Sequence, residues 1–372
     1  METMRLQVIR WPDPMFMVNE LPIIPPMLSG SMWGVEQEIP FQKRVRWQQR
    51  VAELKAMAMG SDWKTMRLRM EMEIRLAYTM LWSVQEETAL FLAWQQQLKT
   101  LEEALLASYE TGMMPQQQVL KLQVERHMLG LKLERLQEEK AEAMGMILSI
   151  LNRPSPEGLQ GRYTLDAIPW QHENPDSLYL HALRLKPEGE RIRLEQSRIQ
   201  VQGNLERSMA WPMISVKLMA QKAAPIDHGG GHVEVPTDML MLGVSFKIPI
   251  DRTRIQAAIE ENRLRERQSE WAYQSFQSDL RAKIQALYAQ WQAQRAQWML
   301  LHQTLIPLAQ TAYDAALATY STGKTDVMNL MEPQEMLFEL RMERIETEMR
   351  MAQTSAKLLQ EIGFSPAINP EP

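Results

Sequence analysis

The sequence predicts a mixed α+β chain in which one unit, a strand pair followed by a long α-helical hairpin, occurs twice. Three observations carry this. The first hairpin turn, Ala104-Leu-Leu-Ala107-Ser-Tyr109-Glu-Thr-Gly112, recurs as Ala315-Ala-Leu-Ala318-Thr-Tyr320-Ser-Thr-Gly323. Tyr, Thr, Gly and the later Gln123 and Gln334 all keep one offset of 211. So many matches in one register are an internal repeat. A strand exit repeats as well: Gly34-Val35…Ile39-Pro40-Phe41 and Gly243-Val244…Ile248-Pro249-Ile250 share an offset of 209. Between exit and turn lies a stretch of strong helix formers; residues 42 to 109 hold no Pro and only Gly60.

Residues 14 to 41 read as two extended segments. Trp33, Val35, Gln37 and Ile39 alternate with Gly34, Glu36 and Glu38. Pro22-Ile-Ile-Pro25-Pro26 connects the two segments, because Pro interrupts strand and helix alike. The helix over 42–109 spans roughly 100 Å at about 1.5 Å per residue. A helix that long needs a partner in water, and the return helix over 116–151 supplies it before Pro154-Ser-Pro156 stops it. In each turn the alanines allow close packing, Tyr caps the end and Gly supplies a positive φ.

The second half repeats this plan. Residues 153–175 are irregular, and a helix over 177–208 breaks near Pro187-Glu-Gly189. Extended segments fill 211–250. In them Pro212, Ile214, Val216, Leu218 and Ala220, then Leu240, Leu242, Val244, Phe246 and Ile248, alternate with Ser215, Lys217, Gln221, Met241, Gly243, Ser245 and Lys247. This is period-two alternation, twice, across a Gly-rich loop. One face is apolar enough for lipid and the other polar enough for water. A helix over 252–320 then carries Phe276, Leu280, Ile284, Leu287, Trp291, Trp298, Leu301, Leu305 and Leu308 at coiled-coil spacing, with a local kink at Pro307. The return helix occupies 325–362. The domains are accordingly a first repeat at 12–163, a second at 164–363, and a tail at 364–372.

Composition narrows the function classes. A hydrophobic content of 45% with 23% charge is globular. The net charge of −5 argues against nucleic acid, and Arg67, Arg69 and Arg75, interleaved with Glu71 and Glu73, read as a solvated helix face. The absence of Cys excludes disulfides, Cys-ligated metals and a lipid-bearing N-terminal Cys, and permits an oxidising compartment. No run approaches 18 apolar residues, so no transmembrane α-helix is expected. Met1 to Arg10 shows no signal-peptide pattern.

No motif resembles an active site, so neither an enzyme nor a cofactor is expected. Gly229-Gly-Gly231 lies between His228 and His232 ahead of a strand, which is not a phosphate loop. Two His on a loop are too few for a defined metal site and read as solvated. The 29 Met include the pairs Met66/Met70, Met70/Met72, Met239/Met241 and Met328/Met331. Thioethers suit Cu(I) or Ag(I), but adaptable packing is the favoured reading of these Met, and no metal site is assigned.

Taken in order, these motifs resemble the TolC family of outer-membrane efflux channels. The matching pieces are the strand exit Gly-Val-x-x-x-Ile-Pro-apolar, the turns Tyr109-x-x-Gly112 and Tyr320-x-x-Gly323, Val119-Leu120-x-Leu122-Gln123, and Leu305-Ile-Pro307-x-Ala309. They span residues 12 to 363. The opening Trp11-Pro-Asp-Pro14-Met-Phe-Met17 further resembles the branch working with heavy-metal efflux pumps. The resemblance implies a membrane channel made as a homotrimer. Four strands per chain enter a shared 12-stranded β-barrel in outer-membrane lipid, and the helical hairpins form a periplasmic tunnel. It implies a passive exit duct for small toxic solutes or metal ions, working with a periplasmic adaptor protein and an inner-membrane pump.

Under it, Ser215, Lys217, Ser245 and Lys247 face the barrel lumen, and Tyr109, Gly112, Tyr320, Gly323 and Lys324 contact the adaptor. Asp326 is a pore-gate candidate through an acidic ring of three copies, or equally a helix N-terminal Asp satisfying the dipole. Two departures stand out. The family has a helix before the first strand pair, so a missing first helix and signal peptide are expected. Met331-Glu-Pro333-Gln334 replaces the family's Asp-Ala-Gln and should disturb the start of the return helix. The alternative reading is a soluble periplasmic coiled-coil adaptor or interaction protein, which normally has one hairpin flanked by halves of small β-domains.

Overall fold

The computed structural model describes residues 12–21, 30–112, 115–155, 174–223, 239–322, 324–325 and 327–365. The connection at 22–26, the loop with His228 and His232, and Gly323 and Asp326 lie outside them. The elements run β1 (Met15–Leu21), β2 (Gly30–Ile39), α1 (Gln42–Glu110), α2 (Gln116–Leu151), α3 (Pro175–Leu185), α4 (Pro187–Ser208), β3 (Met213–Ala223) and β4 (Met239–Lys247). There follow α5 (Arg252–Leu300), a π-helical turn (Leu301–Leu305), α6 (Ile306–Ser321) and α7 (Val327–Ile362). The chain forms two compact units.

The first unit, residues up to Trp63 together with Pro187–Phe276, holds one antiparallel sheet in the order β1-β2-β3-β4. The two repeats meet at β2 and β3, where Gly34 lies opposite Met219 and Glu36 opposite Lys217. Alternation places Phe16, Trp33, Leu242 and Phe246 on one face, all at least 60% exposed. Beside the sheet, Asn262 of α5 donates to the Ile199 carbonyl of α4 at 3.1 Å, and Gln196 donates to the Ser269 carbonyl at 3.1 Å.

The second unit, Lys64–Lys186 and Gln277 onwards, is helical. Its core is written in sevens: Val84, Phe91, Leu98 and Leu105 of α1 pack with Leu122, Leu129 and Leu136 of α2 and with Val327 and Met331 of α7. A strict seven-residue repeat keeps one seam facing its partner, as in a coiled coil. Phe338 closes this core with its ring centroid 5.1 Å from Phe91 and 5.2 Å from Trp94. On the solvated side of α1, Arg67 pairs with Glu71 and Arg69 with Glu73 at 3.0 and 2.9 Å.

Three helical details refine the sequence expectation. The helix over 177–208 is two helices. Asn174 caps α3 through the Asp176 amide, with Pro175 at its first turn. The break falls at Lys186, held extended at φ −69 and ψ 117 by the following Pro187; its ammonium pairs with Glu361. The kink at Pro307 takes the form of the π turn just before it. That turn adds one residue to the helix and moves the buried stripe on by one, so Leu308 is 62% exposed and Ala309 is buried instead. The third is a correction: Pro333 does not disturb the return helix. It sits inside an unbroken α7, where only one N–H is lost and the adjacent Leu330, Met331 and Gln334 are buried.

Burial, helped by Glu139 and Glu346 across the helix seams, raises the Glu87 carboxyl to about 7. Because the folded value exceeds the ordinary 4.5, this group opposes folding increasingly as pH rises from 4.5 to about 7. Solvent screening holds the effect at neutral pH to roughly 1–2 kcal/mol. Glu87→Gln is therefore expected to raise Tm at pH 7.5 and to flatten the loss of Tm between pH 4.5 and 7 in thermal melts.

Candidate functional site: the polar sheet face and the hairpin turns

The face of the sheet opposite the apolar one gathers a polar cluster. Lys217 pairs with Glu36 at 3.0 Å. Ser215 donates to Glu36, stands 2.6 Å from the Ser245 hydroxyl, and lies directly opposite Ser245 in register. Ser245 also donates to Glu36 at 3.4 Å. Three of the four lumen candidates thus converge on one carboxylate. The fourth, Lys247, lies on the same face opposite Met213, outside the cluster. Glu36 is the hub that sequence reasoning did not single out. Period-two alternation put it on the polar side, and it sits 209 positions before Ser245 in the strand-exit repeat.

Where the strands give way to helices the chemistry differs. A cavity of about 580 Å³, whose lining includes Phe41, Trp47, Trp211, Lys43, Arg44 and Arg207, lies where β2 and β3 meet α1 and α4. Aromatic rings beside cations are what a membrane–water boundary favours. Polar Gln37 on the apolar face is satisfied locally, donating to the Pro12 carbonyl at 2.8 Å.

In the first hairpin turn, Gly112 adopts φ +74 and its amide donates to the Tyr109 carbonyl at 2.9 Å. Threonine, and not tyrosine, satisfies the helix end. Thr111 Oγ1 donates to the Ala107 and Ser108 carbonyls, and Thr322 Oγ1 to that of Thr319. Tyr109 is 42% exposed, whereas Tyr320 packs against the core. Lys324 is exposed, its amide bonded to Thr319; Gly323 and Asp326 lie outside the described residues. Each repeated glutamine ties a return helix to α1: Gln123 donates to Glu102 at 3.0 Å, and Gln334 to Gln97 at 2.8 Å. Arg126 completes the first pair by binding Glu102 at 3.0 Å.

Among the described residues no helix is long and apolar enough to cross a membrane, and no group of three His, Asp or Glu side chains could hold a metal. Residues 181–363 match the family model described as Outer membrane efflux protein. No curated protein sequence matches the chain. Among solved structures, the outer-membrane channel OprN superposes with a TM-score of 0.79 at 14% identity, covering 98% of this chain and 84% of its own. CusC, described for transmembrane channel formation, gives 0.78 at 12% identity, covering 98% and 87%. The outer membrane protein VceC from Vibrio cholerae gives 0.76 at 14%, covering 97% and 89%. The fold is that of these proteins.

The left-handed φ at Gly112 sets a test of the turn. Gly112→Val is expected to cost about 1–2 kcal/mol, because a β-branched residue is strained in the left-handed region although the site itself is open, while Gly112→Asn costs much less. Comparative thermal unfolding by circular dichroism checks the order.

Proposed function

We propose that this chain, whose residues 181–363 match the outer membrane efflux protein model and whose fold is that of solved outer-membrane channels, is the exit duct of a tripartite efflux system. It conducts small toxic solutes or metal ions passively, powered by an inner-membrane pump through a periplasmic adaptor. The observation that carries this reading is one sheet with an apolar face, a polar face and two open edges, β1 and β4.

In lipid there is no water to satisfy those edges, so copies must pair. Three copies of four strands close a twelve-stranded barrel, the even count that bacterial barrels use. Ser215, Lys217, Ser245 and Lys247 then line the lumen around Glu36, and the helical hairpins form the periplasmic tunnel. Tyr109, Gly112, Tyr320, Gly323 and Lys324 are the adaptor contacts, and three copies of Asp326 make an acidic ring at the pore mouth. A soluble coiled-coil adaptor would have no use for Leu240, Leu242 and Phe246 standing 62–75% exposed in one patch.

The full chain, exported through a fused signal, is expected in the outer-membrane fraction as a detergent-resistant trimer giving conductance steps in planar bilayers. A soluble periplasmic monomer or dimer would sink the duct reading. On the same basis, Leu242→Arg on the lipid face should cost about 2–4 kcal/mol of barrel stability. Lys247→Gln on the lumen face should leave insertion unchanged, both read from trimer melting on gels.

A further inference from the structure

Seven methionines lie in the strands: Met15 and Met17 of β1, Met32 of β2, Met213 and Met219 of β3, Met239 and Met241 of β4. The strand register puts all seven on the polar face and none on the apolar one. Apolar filling on the other face comes from Phe, Val, Trp, Ile, Leu and Ala. If methionine served only as a flexible space-filler, both faces would use it.

One cross-strand row concentrates the sulfur. Met17 lies opposite Gly34, Gly34 opposite Met219, and Met219 opposite Met241. Gly34 leaves the gap: a Cβ there would stand 3.1 Å from Met219 Cγ and 3.7 Å from Met17 Cε. Two thioether side chains therefore fold over the glycine from either side. Met241 stands directly across from Met219, at the roughly 4.5–5.5 Å Cβ spacing of facing strand residues. All three are partly shielded from solvent.

On the side of Glu36 the neighbouring polar groups are already engaged. Glu36, one row away, is held by Lys217 at 3.0 Å and by Ser215. Met213 is set apart as well, its sulfur accepting from Arg44 at 3.0 Å. What remains in the row is a set of neutral, polarisable sulfur donors. Such donors select soft monovalent cations and offer little to Mg²⁺ or Ca²⁺, which require oxygen.

We propose that Met17, Met219 and Met241 form a thioether site for a soft monovalent cation, Cu(I) or Ag(I), on the polar face of the sheet. The inference rests on the duct reading for placing this face in the lumen, and it makes such cations a cargo of the duct. Neutral ligands hold the ion without trapping it, which a conduction path requires.

Silver(I) alone, in chloride-free buffer, is the probe. Equilibrium dialysis of the detergent-solubilised full chain should show silver whose affinity falls at least about tenfold in M17L/M219L/M241L, since Leu keeps the volume and removes the donors. The helical control M66L/M70L/M72L should bind as the wild type does. X-ray absorption at the silver edge of the wild type needs no variant and should show sulfur neighbours; oxygen or nitrogen neighbours alone overturn the site, as does unchanged affinity in the folded triple variant. Conductance separates the two readings. A chain that conducts but binds no silver through sulfur overturns this site and leaves the duct. A chain that binds silver through these methionines without conducting supports the site and overturns the duct.

Discussion

A four-stranded sheet with one apolar face and two unpaired edges is at home neither in water nor alone in lipid. Water penalises the exposed Leu, Phe and Trp, at about 25 cal/mol per Å². Lipid penalises each edge N–H and C=O by several kcal/mol. Only closure against further strands removes both costs. The order β1-β2-β3-β4 suits that closure. Three antiparallel pairings leave β4 running opposite to β1, so copies related by rotation about one axis meet edge to edge in antiparallel fashion. Each repeat supplies one edge, and the β2–β3 pairing that joins the repeats sits in the middle. An odd number of strands per chain would break this alternation.

The helical unit meets a related constraint with α1 as the shared partner. The core contains residues of α1, α2 and α7, and the repeated glutamines of both return helices reach α1 at Glu102 and Gln97. The sequence repeat therefore converges on one helix. The two hairpins are not equivalent around it. The first keeps its sevens unbroken from Val84 to Leu105, whereas the second inserts a π turn at Leu301–Leu305 and continues one position out of phase.

The strands and hairpins were legible because they depend on local period. Val216 alternates with Ser215 and Lys217, Phe246 with Ser245 and Lys247, and the Tyr-x-Thr-Gly turns recur. Details that depend on contacts distant in sequence were not legible. Glu36 is one carboxylate among many until Ser215 and Lys217, some 180 residues on, are placed beside it. The exchange of Leu308 for Ala309 in the buried stripe arises from one extra residue in a helical turn, which no heptad count reveals. Pro333 reads as a helix breaker, yet neighbouring buried side chains outweigh one missing hydrogen bond. Met239 and Met241 formed a pair in sequence, but their kinship with Met17 and Met219 exists only in the register.

The charge on the polar face bears on what such a surface can select. Among the described residues it carries Glu36 and Glu38 against Lys217 and Lys247, two of each sign, and Glu36 is neutralised in place by Lys217. Copied around a ring, this arrangement adds little net field, unlike the single-sign carboxylate or basic rings that sort ions by charge. Discrimination on a neutral face has to come from donor chemistry. Among the described residues the donors arrayed there in number are methionine sulfurs, three of them in the row that crosses Gly34. The salt bridge and the methionine row are therefore two halves of one condition: the first removes the field that would hold any cation, and the second leaves a preference for soft ones.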